Sequence, residues 1–270
     1  MEHQIVFLSG TRVRHIGRVN WRGLWTLYMK EVRRFLNVFT QTLLAPMVTT
    51  LLFLAIFTLA LGGGREVGGV AFATFLAPGL IMMAMVQNAF ANTSSSLVIA
   101  KVQGNIVDVL MPPLSAGELT LGIAGGGVTR GLMVGLAVGL GMWAFVPVTV
   151  HSPLFILYHG VMAALMLSLL GMIGGIWSEK FDHIAAVTNF VITPFSFLSG
   201  TFYSIERLPE AWQIAAHFNP FFYMIDGFRY GFIGHADASL GLGLAVMTGF
   251  NLFLGAVTYR MFATGYRLKP

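Results

Sequence analysis

The 270-residue sequence is 56% hydrophobic and 10% charged, where a soluble domain carries roughly 25% charged residues. So few charges exclude a water-covered globular surface, and burial in hydrocarbon resolves the conflict, because lipid requires apolar surface. The lack of cysteine excludes disulfides, iron–sulfur clusters and thiolate zinc sites. The net charge of +5 is concentrated in one segment, which argues against nucleic-acid binding.

Arg12, Arg14, Arg18, Arg22, Lys30, Arg33 and Arg34 all precede the first long apolar stretch, as a cytoplasmic anchor beside a membrane span does. The segment 1–34 does not resemble a cleaved signal peptide, because its basic part is long and the apolar run 5–8 is short. Trp21, Leu24, Trp25, Tyr28, Val32 and Phe35 recur at helical spacing, with Arg22, Lys30, Arg33 and Arg34 largely off that stripe. This predicts an amphipathic helix in the inner interface; the alternative is a first span that starts early.

A membrane helix needs about 20 predominantly apolar residues. Residues 38–61, 70–92, 119–146, 154–177, 184–203 and 240–262 meet that requirement. The expected fold is an all-α integral membrane protein of six transmembrane helices. It forms a single domain over 1–270, with a cytoplasmic segment 1–37, a membrane region 38–262 and a tail 263–270. An even number of spans leaves both termini on one side. Placing them inside adds Lys101, Lys180, Arg260, Arg267 and Lys269 to the seven N-terminal basic residues, and leaves Arg65, Arg207 and Arg229 outside. The positive-inside rule then puts both termini in the cytoplasm.

Between the second and third spans, the loop 101–118 holds Ile106, Val109 and Leu110 on one apolar face with Asp108 beside it. Pro112-Pro113 ends this short helix, which resembles a cytoplasmic docking element. In the third span, Gly127, Gly131, Gly135 and Gly139 are spaced four apart, a ridge that lets another helix approach closely, within or between subunits. Arg130 sits beside the ridge. An arginine in hydrocarbon is costly unless paired, wetted or snorkelling. It either snorkels from a helix that protrudes inward or forms a polar anchor at the cytoplasmic mouth of a path. Between spans five and six, Pro209 and Glu210 suit a helix start, Trp212 follows, and Asn219-Pro220 breaks the helix. The aromatic run 221–232 carries Asp226 and Arg229 three apart. A pair of short re-entrant helices in the outer leaflet fits better than a span.

Catalytic chemistry is missing. None of Lys30, Lys101, Lys180 or Lys269 follows a glycine, so the chain has no P-loop. Gly62–Gly64 and Gly125–Gly127 read as packing or turn glycines. No two histidines are three or four apart, as helical metal ligands would be. Among the seven, His159 reads as an interfacial or satisfied side chain.

The loop 104–115 resembles the loop after span two of ABC type-2 exporter permeases. The match continues in Gly-Gly-Gly-Val-Thr-Arg-Gly at 125–131, in Phe181-Asp182 with Thr193-Pro194, and in Gly-Thr-Phe-Tyr-Ser at 200–204. It extends through Leu208-Pro209, Trp212, Asn219-Pro220, Tyr223-Met224 and Gly227–Phe232. The chain is similar in particular to YadH-like bacterial inner-membrane permeases, from about residue 20 to 262. The resemblance implies a homodimer in the bacterial inner membrane, in contact with membrane lipid. It also implies a separate cytoplasmic ABC ATPase dimer that binds the ATP and Mg, leaving this chain without a cofactor. The ATPase would dock on Lys101, Gly104, Ile106, Asp108, Leu110 and Pro113 and on the N-terminal helix. Residues 208–232 would cap the outer end of the path. Many relatives carry an acidic residue where this chain has Val107, with Asp108 one place later. The expected function is export of an amphiphile, such as a glycan, lipid or drug. The alternatives are an ion-gradient-driven carrier, which usually needs ionisable groups near mid-membrane, and a non-transporting scaffold. A membrane-embedded enzyme would rest on Asp182-His183, more simply read as a helix N-cap.

Overall fold

A computed structural model describes residues 17–61, 66, 67, 69–147, 149–205 and 208–268. Arg12, Arg14, Gly62–Gly64, Arg65, Arg207 and Lys269 lie outside the described residues. The regular elements among the described residues are helices and one two-stranded hairpin. α1 (Trp21–Leu36) leads through a π-helical turn, Thr40–Leu44, into α2 (Ala45–Leu61). Strands β1 (Glu66–Val67) and β2 (Val70–Ala71) pair antiparallel, Val67 opposite Val70. Then come α3 (Phe72–Val102), α4 (Ile106–Leu110), α5 (Ala116–Trp143) and α6 (Pro153–Trp177). α7 (Phe181–Val187) and α8 (Thr193–Phe197) join through a second π-helical segment, Thr188–Ile192. α9 (Glu210–His217), α10 (Pro220–Ile233) and α11 (Leu240–Thr264) complete the chain.

Five helices among the described residues are long and apolar enough to cross a membrane: Thr40–Ala60, α3, α5, α6 and α11. The run from α7 through α8 is shorter. It ends at a turn where Gly200 adopts φ +77°, short of the expected end at residue 203. The second expected span, by contrast, is longer than its apolar stretch. Asn92, Thr93, Ser94, Ser95 and Ser96 look like a polar terminus, yet α3 continues through them. Ser94 Oγ donates to Phe90 O at 2.8 Å and Thr93 Oγ1 to Ser168 O of α6 at 2.8 Å, so these hydroxyls are satisfied inside the bundle. α5 starts at Ala116 because Ser115 and Glu118 form a capping box.

α3 is the central helix, enclosed by α5 and α6, whereas α2 and α11 are peripheral. α1 packs along the first half of α5 through Leu24, Leu27, Tyr28 and Glu31. Of the expected apolar stripe, Val32 and Phe35 are buried, while Trp21 and Trp25 are exposed at 71% and 61%.

The molecule has two distinct ends. At one, Asn20 Nδ2 donates to Pro113 O and Lys101 Nζ donates to Ile176 O and Ser178 O. Arg267 Nη1 donates to Trp177 O there as well. At the other, the N–H groups of His151 and Ser152 donate to Gly231 O, and Ser204 Oγ donates to Asp237. The run through α7 and α8 connects the first end to the second.

Candidate functional site

Glycine sets how closely the three central helices approach. A Cβ on Gly127 would meet Thr93 Cγ2 at 2.7 Å, and one on Gly131 would meet Met85 O at 3.1 Å. Gly135 faces Met85 Sδ at 3.0 Å, while Gly139 meets only Ile81 Cδ1 at 3.7 Å. The ridge therefore packs inside the subunit, against α3, and fades toward the second end. Sequence reading missed its counterpart on α6. There a Cβ on Gly171 would meet Phe90 O at 2.6 Å, and one on Gly175 would meet Ser94 O at 3.0 Å.

Beside this packed seam, α1 is fastened to α3 by a buried ionic cluster. Glu31, 1% exposed, pairs with Arg34 at 3.1 Å and accepts from Ser96 Oγ at 2.7 Å. Arg34 also donates to the side chains of Asn92 and Ser95. Gly126 makes room for Glu31, whose Cγ lies 3.2 Å from where a glycine Cβ would stand. Tyr28 and Thr129 share a hydrogen bond of 2.9 Å. Glu31 and Asn92 carried no sequence signal except a charge inside an amphipathic helix and a polar residue at a span end.

A cleft of about 710 Å³ opens between α2 and α3, with Arg130 of α5 in its wall. On the α2 side it follows the helix from Val38 to Phe53, about 22 Å at 1.5 Å per residue. Arg130 Nη2 donates to Asn88 Oδ1 at 3.0 Å. Asn88 lies about 21 Å along α3 from Val102, so the guanidinium is held well inside the bundle. Gln41, Thr49 and Gln87 line the same cleft.

The predicted docking loop divides into two faces. Ile106 and Val109 are buried and Leu110 packs against the core. Val107 at 46% and Met111 at 76% exposure face outward, with Asp108 beside them. Gly104 holds φ +75° at the turn into α4, a conformation glycine adopts without steric cost. Pro113 accepts from Asn20. Lys101 caps the last carbonyls of α6, which makes it a structural residue of the bundle. Asp182 and His183 sit in the first turn of α7, where His183 Nδ1 accepts from Glu179 N at 3.4 Å.

At the second end, Asn219 caps α10, accepting from Phe221 N at 3.0 Å, and Pro220 follows at the first helical position. Asp226 and Arg229 are 3% and 2% exposed, but each serves a different backbone segment instead of bonding to the other. Asp226 accepts from the N–H groups of Asp237 and Ala238 at 2.8 and 3.0 Å. Burial pushes its carboxyl above the usual carboxylate range, against the pull of those N–H groups. Arg229 donates to Gly200 O at 2.6 Å and stacks on Phe75 with its Cζ 3.9 Å from the ring centroid. Burial lowers the guanidinium to about 10, so it remains a cation at neutral pH. Trp212 is 57% exposed on α9.

Comparison with known proteins adds an independent line. Residues 22–233 match the family model described as ABC-2 type transporter. The chain is 38% identical over 250 residues to the inner membrane transport permease YadH of Escherichia coli K12, covering 92% of this chain and 98% of that protein. It is 28% identical over 225 residues to nodulation protein J of Rhizobium leguminosarum bv. trifolii, covering 81% and 83%. Nodulation protein J of Rhizobium meliloti is 24% identical over 237 residues, covering 84% and 87%.

Proposed function

Because the chain belongs to the ABC-2 type transporter family, and so is the membrane component of an ABC transporter, we propose that it is the permease subunit of an exporter. Two copies work with a separate cytoplasmic ATPase dimer in the bacterial inner membrane. The cargo is an amphiphile with an apolar part, moved from the cytoplasm or inner leaflet.

The observation that carries this reading is the build of α4. Its apolar side is anchored in the bundle through Ile106 and Val109, while Val107, Asp108 and Met111 stay open on the outward side. Such a helix transmits force as a rigid element, and a bistable arrangement of two subunits is enough to alternate access. The end that bears α4 also gathers Lys101, Lys180 and Arg267, which supports a cytoplasmic placement for it. The run 181–197 is read as a sixth crossing, since it joins the two ends. α9 and α10 are read as re-entrant helices capping the outer end.

The test is co-expression with ATPases encoded beside its gene, with the tag on the permease. Two ATPases per two permeases are expected, weakened by Asp108→Arg and Met111→Asp with the heat stability of the permease unchanged. A permease that purifies stably alone under every condition, with no ATPase bound, would overturn the exporter reading.

A further inference from the structure

Arg130 is electrostatically unusual. Among the described residues lining the cleft it is the single cation, and no carboxylate lines it. No ion pair among the described residues reaches it. Its hydrogen bond goes to the neutral amide oxygen of Asn88, and its Nε is buried without a partner. Arg34 makes the contrast: it meets the cleft only through Ser95, and Glu31 neutralises it. An unpaired guanidinium in a low-dielectric setting is costly unless an anion joins it. Its planar fork matches phosphate and carboxylate. The surroundings suit an amphiphile. Gln41, Gln87 and Thr49 add neutral polar groups, while Phe53, Leu80 and Met83 continue the wall as apolar surface. The volume falls within the range of about 300–1,000 Å³ usual for small-molecule sites.

We propose that Arg130 receives the anionic headgroup, phosphate or carboxylate, of an amphiphile whose chain lies against Phe53, Leu80 and Met83. This rests on the permease reading and makes that cleft the loading site.

The test uses the full chain purified in detergent without any ATPase. Binding is measured by native mass spectrometry for dioleoyl phosphatidic acid, dioleoyl phosphatidylcholine and inorganic phosphate. Phosphatidic acid is expected to bind about tenfold more tightly than phosphatidylcholine, and Arg130→Gln to remove most of that factor. The basic residues of α1 attract anionic lipid without Arg130, so the difference between variants decides. Asn88→Asp guards against a folding defect. It sets a carboxylate beside Arg130, so the protein should gain heat stability while losing the preference. An undiminished preference in both variants overturns the site. Inorganic phosphate displacing phosphatidic acid at equal concentration overturns the amphiphile assignment. Absence of the phosphatidic acid preference in the wild type, with the ATPase still co-purifying, sinks the headgroup site alone. Failure of the ATPase to co-purify sinks the permease reading and leaves the lipid comparison intact.

Discussion

Replacing Gly171 with alanine tests the packing of the central seam most directly. The new Cβ would lie 2.6 Å from Phe90 O. That is about 0.8 Å inside an ordinary contact, against backbone that has no rotamer through which to yield. α6 must move away from α3 or the helix must distort, at a cost of about 1–3 kcal/mol for overpacking. Alanine regains about 1 kcal/mol of helix propensity in a soluble host, which leaves a net loss of up to about 2 kcal/mol. Gly139→Ala is the matched control. Its Cβ would meet Ile81 Cδ1 at 3.7 Å, an ordinary contact, so propensity should dominate and stability hold or rise. Thermal unfolding of detergent-purified protein, followed by fluorescence-detected gel filtration, should place Gly171→Ala several degrees below wild type and Gly139→Ala at or above it. Equal melting of the two variants would refute the claim that the α3–α6 seam depends on glycine.

Two further substitutions address the buried charges. Arg229→Met should cost about 3 kcal/mol, because the Gly200 and Thr201 carbonyls lose their donor; limited proteolysis should then cleave within residues 198–205 before the rest of the chain. Glu31→Gln keeps the shape but leaves Arg34 without its counter-ion. Arg34 is partly exposed, so the loss should be smaller, about 1 kcal/mol, read as a modest drop in melting temperature.

Five of the apolar intervals, the amphipathic helix α1, the loop helix α4 and the Asn219-Pro220 break were legible in the sequence, because each follows from local composition or a capping rule. The end of α3 was not. A run of Asn, Thr and Ser reads as the edge of a membrane when the partners of those hydroxyls on α1 and α6 are unknown. Helical spacing marked the apolar stripe of α1 but not which part of it meets protein: Trp21 and Trp25 are exposed, whereas Leu27 and Phe35 are buried. Asp226 and Arg229 marked 221–232 as an unlikely span, but their partners, backbone groups at 237–238 and 200–201, could not be read from local sequence. Arg130 stood out at once as a charge in an apolar run, but its cleft needs α2, α3 and α5 together, and no local pattern encodes that meeting.

Glu118 links two parts of the molecule that are far apart in sequence. Its carboxylate accepts from the N–H and hydroxyl of Ser115 and from the N–H of Asn20. Asn20 Nδ2 reaches Pro113 O at 3.2 Å. The start of α1, the linker after α4 and the first turn of α5 thus share one clasp. A load on α4 cannot be absorbed by bending residues 111–115 without breaking it. A torque applied to α4 would pass instead into α1, so that the two would turn together as the arms of a crank about the base of α5.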